Sequence, residues 1–490
     1  MINNKQKLSF LQGYAWNHAA RVLEYVLIYF FSIFVARSLG PHGNGLYASI
    51  VSISQLLIAI SSAGIDLALN RFLPQYLESR AHPKINYITQ SLILIKIFIL
   101  SALGSLLTLG WADVQTLFHL DSPSKQFLFF IIAYASLRSI QSAILSVWVS
   151  QLRTKPIFII NTVTLSVQII FIIIFSSNGL LLNEALQVIL LCSTLSLTAH
   201  LIVVRRYIFL DSERVNLRPI FIFSGWLWLN TLMEYFLGKQ GDIAVLGIFG
   251  ISKSEIGYYD IAHALAQIPA FAFGAGFAGI TISMFAKLAS GQKDKIKGFW
   301  IKLTSLVSQI SIPLYCFSII YAEEIIALLY SKEFIPAVSL FQLLLASRLV
   351  ARIFGGGENA EALLSLRAEK SIFLLSLYGA LLNIILNILL ISKFGVLGVA
   401  IATGAVIILV NFGSWLLLYN RIRIPLQITN WLFTTIIGFS PTIVCKMIFI
   451  SPTMNQLILI IIFCIIFWVF GIWMIRRLLF RNTNLFNLTD

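Results

Sequence analysis

The chain has 490 residues, of which 58% are hydrophobic and only 11% are charged. A soluble domain carries about 25% charged residues, so this composition excludes a purely soluble protein and makes lipid the solvent for much of the chain. The net charge of +15 does not indicate nucleic-acid binding, because basic residues also collect in the cytoplasmic loops of membrane proteins.

Apolar stretches long enough for one helical bilayer crossing, about 20 residues, recur from end to end. They predict an all-α integral membrane protein with about fourteen transmembrane helices. In chain order the predicted spans cover residues 14–36, 43–67, 89–110, 126–147, 157–175, 184–204, 220–247, 256–282, 301–321, 335–357, 371–392, 396–418, 429–450 and 456–475. Polar residues interrupt the first span, so we expect it to be retained and not cleaved as a signal peptide.

Basic residues are distributed unevenly between the two sides of the predicted bundle. With a cytoplasmic N-terminus, the inner loops and the adjoining span ends hold 23 basic residues, and the outer loops hold five. Basic residues resist translocation across the membrane. The bias therefore predicts that both termini face the cytoplasm, and it supports an even number of spans.

Two segments about 210 residues apart resemble each other. The first reads FVARSLGPHGNGLYASI, and the second, after the seventh span, reads IFGISKSEIGYYDIA. Each contains a glycine, Gly40 or Gly250, followed by a short polar turn and a Gly-x-Tyr motif. An offset of six spans predicts parallel repeats that form two six-helix lobes around a central cavity. The predicted divisions are an N-lobe over 1–219, a C-lobe over 220–427, and helices 13 and 14 with a cytoplasmic tail over 428–490.

Arginines within the apolar spans are the main candidates for a binding site, because a charge inside the bilayer is costly and marks a functional position. At ~1.5 Å per residue they lie about 8–14 Å from the inner ends of their spans. Guanidinium groups bind phosphate oxygens in a fork. We therefore predict that these arginines line a cavity open to the cytoplasm and bind a diphosphate. The four residues are Arg21, Arg138, Arg348 and Arg352.

The alternative for each arginine is an ion pair that serves packing. Glu24 follows Arg21 by three residues and would lie on the same helix face. Arg348 and Arg352 have no acid within their span, although Glu358 lies just beyond it. The three glycines at 355–357 lie between Arg352 and Glu358. They predict either a hinge or a helix stop.

A second polar group lies in the seventh and eighth spans and contains Glu234, Lys239, Asp242 and Asp260. Lys239 and Asp242 are three residues apart and could simply pair with each other. Alternatively the three acids, together with Glu24, carry a coupling proton or Na⁺. Outside this group, we predict that Lys96 extends its side chain to a membrane interface.

Several classes of chemistry lack their signatures. The four cysteines lie in apolar stretches without a CxxC pair, and the six histidines lack metal-binding spacing, so no metal site and no cofactor are predicted. The chain has no Walker A motif and no Asp-x-Asp pair, and its predicted loops are short. These observations predict that the protein is not an enzyme.

Three segments resemble the polysaccharide flippases of the O-antigen type. They are residues 35–50, 238–262 and 322–345. This family belongs to the multidrug/oligosaccharidyl-lipid/polysaccharide (MOP) exporter superfamily. The resemblance implies a bacterial inner-membrane protein that moves an undecaprenyl-diphosphate-linked oligosaccharide to the outer leaflet by alternating access, for surface polysaccharide synthesis. It implies membrane lipid, a polysaccharide polymerase and a chain-length regulator as further partners, and no nucleic acid.

Three other functions compete with this one. Cation-coupled multidrug exporters of the same superfamily have twelve spans and typically acidic cavities. The peptidoglycan-precursor flippase has fourteen spans but a different first-helix pattern. A membrane glycosyltransferase or polymerase is the alternative from another class, and the short loops weigh against it.

Overall fold

The structure is a computed structural model of the chain. It describes residues 4–78, 82–120, 125–150, 154–176, 179–205, 212–274, 281, 284–285, 288, 293–449 and 452–479. Regular structure within these ranges is helical, with no strand. The helices are α1 (Asn4–Ser62), α2 (Ile65–Glu78), α3 (His82–Leu109), α4 (Trp111–Leu117), α5 (Lys125–Ser150), α6 (Thr154–Ser176), α7 (Leu182–Val204), α8 (Arg218–Leu237), α9 (Lys239–Ile248), α10 (Lys253–Gly274), α11 (Lys293–Ile320), α12 (Ala322–Leu329), α13 (Ala337–Ala351), α14 (Gly357–Ser365), α15 (Glu369–Ile422), α16 (Ile428–Ile448) and α17 (Met454–Leu479).

Eleven stretches within these helices are long and apolar enough to cross a bilayer. The stretches in α1 and α15 are long enough for two crossings, and each is broken by a glycine in the left-handed region, Gly40 (φ 66°) and Gly395 (φ 55°). Counting each of these as two crossings and adding α10 gives about fourteen in the part of the chain that is described. The predicted all-α, multi-pass membrane fold is thereby confirmed.

The chain divides into two compact units. Unit 1 contains Met1–Ile261 and Ser376–Val399, and unit 2 contains Ala262–Leu375 and Ala400–Asp490. These boundaries differ from the predicted lobes of 1–219, 220–427 and 428–490. The difference arises because α8 and α9, which the repeat assigns to the second lobe, pack against α1 and α2 in unit 1. The lobe boundaries stay a prediction about the repeat.

Each unit has its own buried apolar clusters. In unit 1, Ile65, Leu92 and Trp148 belong to a cluster that joins α2, α3 and α5. In unit 2, α11 packs along α16, and Cys445 and Cys464 lie in a cluster with Trp468. All four cysteines are buried and unpaired, so they contribute as small apolar side chains.

The two segments of the predicted repeat share a local structure and touch each other within unit 1. Gly40 and Gly250, the equivalent first glycines, have φ values of 66° and 67°, a region that glycine adopts without steric cost. A Cβ on Gly45 would overlap the carbonyl oxygen of Lys253, and one on Gly257 would overlap that of Pro41. The second glycines of the two segments therefore allow a close backbone contact.

We expect Gly45→Ala to lower the free energy of unfolding by about 1–3 kcal/mol, because the added methyl group forces the two backbones apart. Alanine is otherwise a better helix former than glycine by up to about 1 kcal/mol. A decrease in stability must therefore come from the overlap of the added methyl group with the carbonyl oxygen of Lys253. The measurement is the midpoint of thermal unfolding of purified protein in detergent.

Gly225→Ala in α8 is the matched control, because its Cβ would point into open space. We expect its midpoint to equal or exceed that of the wild type. Equal midpoints for Gly45→Ala and the wild type would contradict the close contact.

Candidate functional site

The structure distributes the predicted site residues over both units. In unit 1 lie Glu24, Arg138, Glu234, Lys239, Asp242 and Asp260, and in unit 2 lie Arg348 and Arg352. The side chain of Arg21 falls outside the part of the chain that is described, so its predicted pairing with Glu24 is untested.

A polar cavity of about 340 Å³ lies inside unit 1 between α1, α5, α6 and α7. Arg138 and Gln141 line it from α5, Glu24 from α1, Asn161 from α6 and Ser196 from α7. A surface-facing polar stripe would be ordinary in a soluble helix bundle. Within spans that are apolar overall, polar side chains from four helices that face one space mark a hydrated or ligand-binding site.

Hydrogen bonds fix the walls of this polar cavity. Arg138 donates through Nη1 to Oε1 of Gln141 (3.1 Å), and Gln141 donates through Nε2 to the hydroxyl of Ser196 (2.9 Å). On another wall Asn161 donates through Nδ2 to Oε1 of Glu24 (3.0 Å). Gln141 and Ser196 are buried, whereas Arg138 is exposed. The guanidinium carries five N–H donors, so the bond to Gln141 leaves donors for a ligand.

A second cavity of unit 1, of about 450 Å³, is lined by Asp66, Glu234 and Lys239 among other residues. Glu234 accepts a hydrogen bond from Nδ2 of Asn230 (2.8 Å). The Nζ of Lys239 lies 2.6 Å from Oδ1 of Asp260. The partner of Lys239 is therefore Asp260 on α10, whereas the spacing in the sequence predicted Asp242.

Asp242 is fully buried and sits at the centre of a hydrogen-bonded group, which we call the Asp242 cluster. Its Oδ2 accepts from the hydroxyl of Tyr259 (2.6 Å). Its Oδ1 accepts from Nδ2 of Asn383 (2.8 Å) and from Nδ2 of Asn387 (2.9 Å). The Oδ1 atoms of both asparagines are buried and have no hydrogen-bond partner among the described residues. Three donors from α10 and α15 thus converge on this carboxylate.

Lys96 is fully buried, contrary to the prediction that it reaches an interface. Its Nζ lies 2.6 Å from Oδ1 of Asp66, and the hydroxyl of Ser142 donates to the other carboxylate oxygen at 2.8 Å. Asp66 lies in the first turn of α2, where the amino end of a helix favours negative charge. Asp66 on a neighbouring helix thus neutralises the Lys96 ammonium inside the protein, so this side chain does not have to reach the membrane interface. The sequence alone did not indicate this contact.

Arg352 of unit 2 is buried and paired. Its guanidinium lies 3.3 Å from both carboxylate oxygens of Glu358, and its Nη2 also donates to the hydroxyl of Ser308 (3.0 Å). The glycines at 355–357 act as a helix stop: α13 ends at Ala351 and α14 begins at Gly357. A Cβ on Gly356 would overlap Nη1 of Arg352, so this glycine makes room for the pair.

The two arginines of α13 consequently differ. The geometry favours a structural role for Arg352, because Glu358 neutralises it. Arg348 is half-buried one turn earlier on α13, and both arginines lie close enough to the buried Tyr315 to interact with it electrostatically. Arg348 is therefore the more accessible guanidinium of this helix.

The sequence did not indicate the neutral hydrogen-bond partners of Arg138, Glu24 and Asp242. The i, i+4 spacing of Asn383 and Asn387 within an apolar helix was a usable signal, since it places two amides on one face. Gln141 and Asn161 carried no comparable signal, because a single amide in a span is common. Their role follows only from the packing of α5 against α7 and of α6 against α1.

The fold is similar to those of solved membrane transporters. The chain superposes on the lipid II flippase MurJ in an inward closed conformation with a TM-score of 0.73 and 16% identity, over 95% of this chain and 100% of that one. An inward-facing multidrug resistance MATE family transporter of the MOP superfamily gives a TM-score of 0.65 and 12% identity, over 81% of this chain and 94% of that one. These likenesses concern the fold.

Residues 34–339 match the family described as polysaccharide biosynthesis protein, and the chain belongs to that family. An uncharacterized membrane protein of Methanocaldococcus jannaschii is 22% identical over 98% of this chain and 97% of its own length. The probable low-salt glycan biosynthesis flippase Agl15 of Haloferax volcanii is 24% identical over 38% of this chain and 39% of its own length. The functions named among these proteins are those of flippases and of a transporter.

We expect Arg352→Ala to lower the free energy of unfolding by about 3–5 kcal/mol, because it leaves the Glu358 carboxylate buried without its partner. The double variant Arg352→Ala/Glu358→Ala should be more stable than Arg352→Ala alone. The midpoint of thermal unfolding in detergent measures both effects.

Arg421→Ala, which removes an exposed guanidinium of unit 2, is the control and should leave the midpoint close to that of the wild type. A double variant less stable than the single one would contradict the buried pair.

Proposed function

We propose that the protein is a flippase that moves a polyprenyl-diphosphate-linked oligosaccharide across the membrane by alternating access, for polysaccharide biosynthesis. In a bacterium the carrier would be undecaprenyl diphosphate and the product a surface polysaccharide such as O-antigen. The family membership supports this proposal, as does the match to a glycan biosynthesis flippase. The observation that carries it is the exposed guanidinium of Arg138 on the wall of a polar cavity inside membrane-spanning helices.

The arginines have different roles in this proposal. Arg138 and Arg348 bind the diphosphate directly, since a guanidinium that remains accessible can form a fork with phosphate oxygens. Arg352 supports the end of α13 through its pair with Glu358, and so positions Arg348. On the basis of the sequence, Arg21 is proposed as a third diphosphate ligand.

The Asp242 cluster supports a role in ion coupling. A hard cation such as Na⁺ takes oxygen ligands, and a single carboxylate surrounded by neutral oxygens balances one positive charge. Rotating the amides of Asn383 and Asn387 by half a turn would exchange their N–H donors for Oδ1 atoms that now lack partners. Cation binding would then replace the hydrogen bonds that Asn383 and Asn387 donate to Asp242.

The other candidate acids are less suited to ion coupling than Asp242. Asp260 is neutralised by Lys239, and Glu24 is held by Asn161. Glu234 lines the second cavity beside Lys239 and remains the candidate for a coupling proton. We therefore assign Na⁺ coupling to Asp242, with Glu234 as the proton alternative.

The proposed cellular setting follows from the charge bias of the loops. The protein would lie in the bacterial inner membrane with both termini in the cytoplasm. A polysaccharide polymerase and a chain-length regulator would act on the same glycan at the outer face.

Deleting the gene in its host should remove surface polysaccharide and trap lipid-linked units on the cytoplasmic face. We expect wild-type protein to restore the polymer and Arg138→Ala to restore less than about one tenth of it, because the loss of one charge-assisted contact of about 1.5–3 kcal/mol lowers binding at least tenfold. Surface glycan and lipid-linked intermediates are measured together with protein level.

Arg218→Ala, an exposed residue at the start of α8, serves as the control and should restore the polymer fully. Unchanged surface glycan in the deletion strain, with altered drug sensitivity, would overturn the flippase function and favour a multidrug exporter.

We expect Na⁺ to raise the midpoint of thermal unfolding of wild-type protein relative to choline at equal ionic strength, and Asp242→Asn to abolish this shift. A ligand at 100 times its dissociation constant stabilises the folded state by about 2.7 kcal/mol. The asparagine variant keeps the size of the side chain and removes its charge.

An equal midpoint in Na⁺ and choline for the wild type would rule out this cation site. A transport rate that depends on pH but not on Na⁺ would then direct attention to Glu234.

A further inference from the structure

We propose that the polar cavity of unit 1 is the subsite for the first sugar of the substrate and that it selects an uncharged sugar over an acidic one. This inference rests on the proposed function and deepens it. Its basis is the chemistry of those wall residues that the structure describes: one acid, Glu24, and one base, Arg138, stand among amides, hydroxyls and tyrosines. The formal charges of the two residues cancel.

The hydrogen-bonding groups of the cavity fit a sugar ring. Each sugar hydroxyl both donates and accepts, so its site has to offer both kinds of partner. Glu24 and the carbonyl oxygen of Asn161 accept, whereas Arg138 and the amide of Gln168 donate. A site for phosphate alone would need only donors.

The shape of the cavity agrees with a single sugar unit. Its volume of about 340 Å³ lies at the lower end of the range of about 300–1,000 Å³ for small-molecule sites. Phe31, Tyr47 and Tyr134 provide apolar ring surface on the walls, against which the C–H face of a sugar packs. The remaining sugars of an oligosaccharide would have to lie outside it.

The position of the charges explains the preference. Arg138 is exposed and suits the diphosphate, whereas Glu24 is half-buried and held in place by Asn161. An acidic sugar would bring a second carboxylate next to Glu24, and like charges in a weakly solvated space repel strongly. A neutral sugar meets no such penalty and gains a hydrogen-bond acceptor.

The experiment compares two lipid substrates in proteoliposomes of the full-length protein. Polyprenyl diphosphate carries either N-acetylglucosamine or glucuronic acid, and the initial rate of transfer between leaflets is measured. We expect the wild type to move the neutral substrate at least about tenfold faster, which corresponds to about 1.4 kcal/mol. Glu24→Gln should keep the bond from Asn161 and bring the two rates together, because it removes the carboxylate that repels the acidic sugar.

Glu213→Gln is the matched control, because Glu213 is an exposed acid that pairs with Lys84 away from the cavity. It should keep the wild-type preference. A binding readout complements the rates: in a variant whose four native cysteines are replaced by alanine, Gln168→Cys places one thiol on the cavity wall. The neutral lipid should slow alkylation of this thiol by a small maleimide, and the acidic lipid should not.

Equal wild-type rates for both lipids, or a preference unchanged by Glu24→Gln, would overturn the subsite and leave the flippase function standing. A thiol at position 168 that neither lipid protects would also overturn it, because the cavity would then be filled by water alone. Failure of the wild type to move either lipid, with no protection, would count against the proposed function itself.

Discussion

A charge in an apolar surrounding needs a partner within the protein, and this requirement shapes the interior of both units. Lys96 is fully buried because Asp66 and Ser142 lie beside it. Arg352 is buried because the glycine break before α14 brings Glu358 into contact with it. In both cases the acid comes from another helix, so these ion pairs tie helices together. Breaking one would leave an isolated charge, which costs more than the pair contributes.

This requirement also separates two groups of charged residues. Lys96, Arg352 and Lys239 are neutralised by acids. Arg138 is held by a neutral amide instead and keeps its full positive charge. Asp242 accepts hydrogen bonds from the neutral groups of Tyr259, Asn383 and Asn387. The type of hydrogen-bond partner therefore distinguishes Arg138 and Asp242 from Lys96 and Arg352 better than burial does.

Much of the fold could be predicted from the sequence, because each crossing needs an apolar run of a defined length. The breaks at Gly40 and Gly395 also fall between predicted spans. The site was predicted less well. Arg138 and Asp242 were identified as charges within spans, but their partners were not, since Gln141, Asn383 and Asn387 are assigned by packing between helices. Lys239 pairs with Asp260 where the spacing predicted Asp242, and the sequence could not indicate this partner because the contact joins α9 to α10.

The contact between Gly45 and Gly257 has a consequence for the electrical integrity of the membrane. Each glycine lies against the backbone of the other segment so closely that even a methyl group would overlap it, and the space between them is too small for a water molecule. Protons cross membranes along chains of hydrogen-bonded water, and such a chain cannot pass through this contact. A transporter that uses an ion gradient has to prevent that gradient from leaking through its own interior. The two glycines of the repeated motif thus leave no path for water between the two segments at this contact.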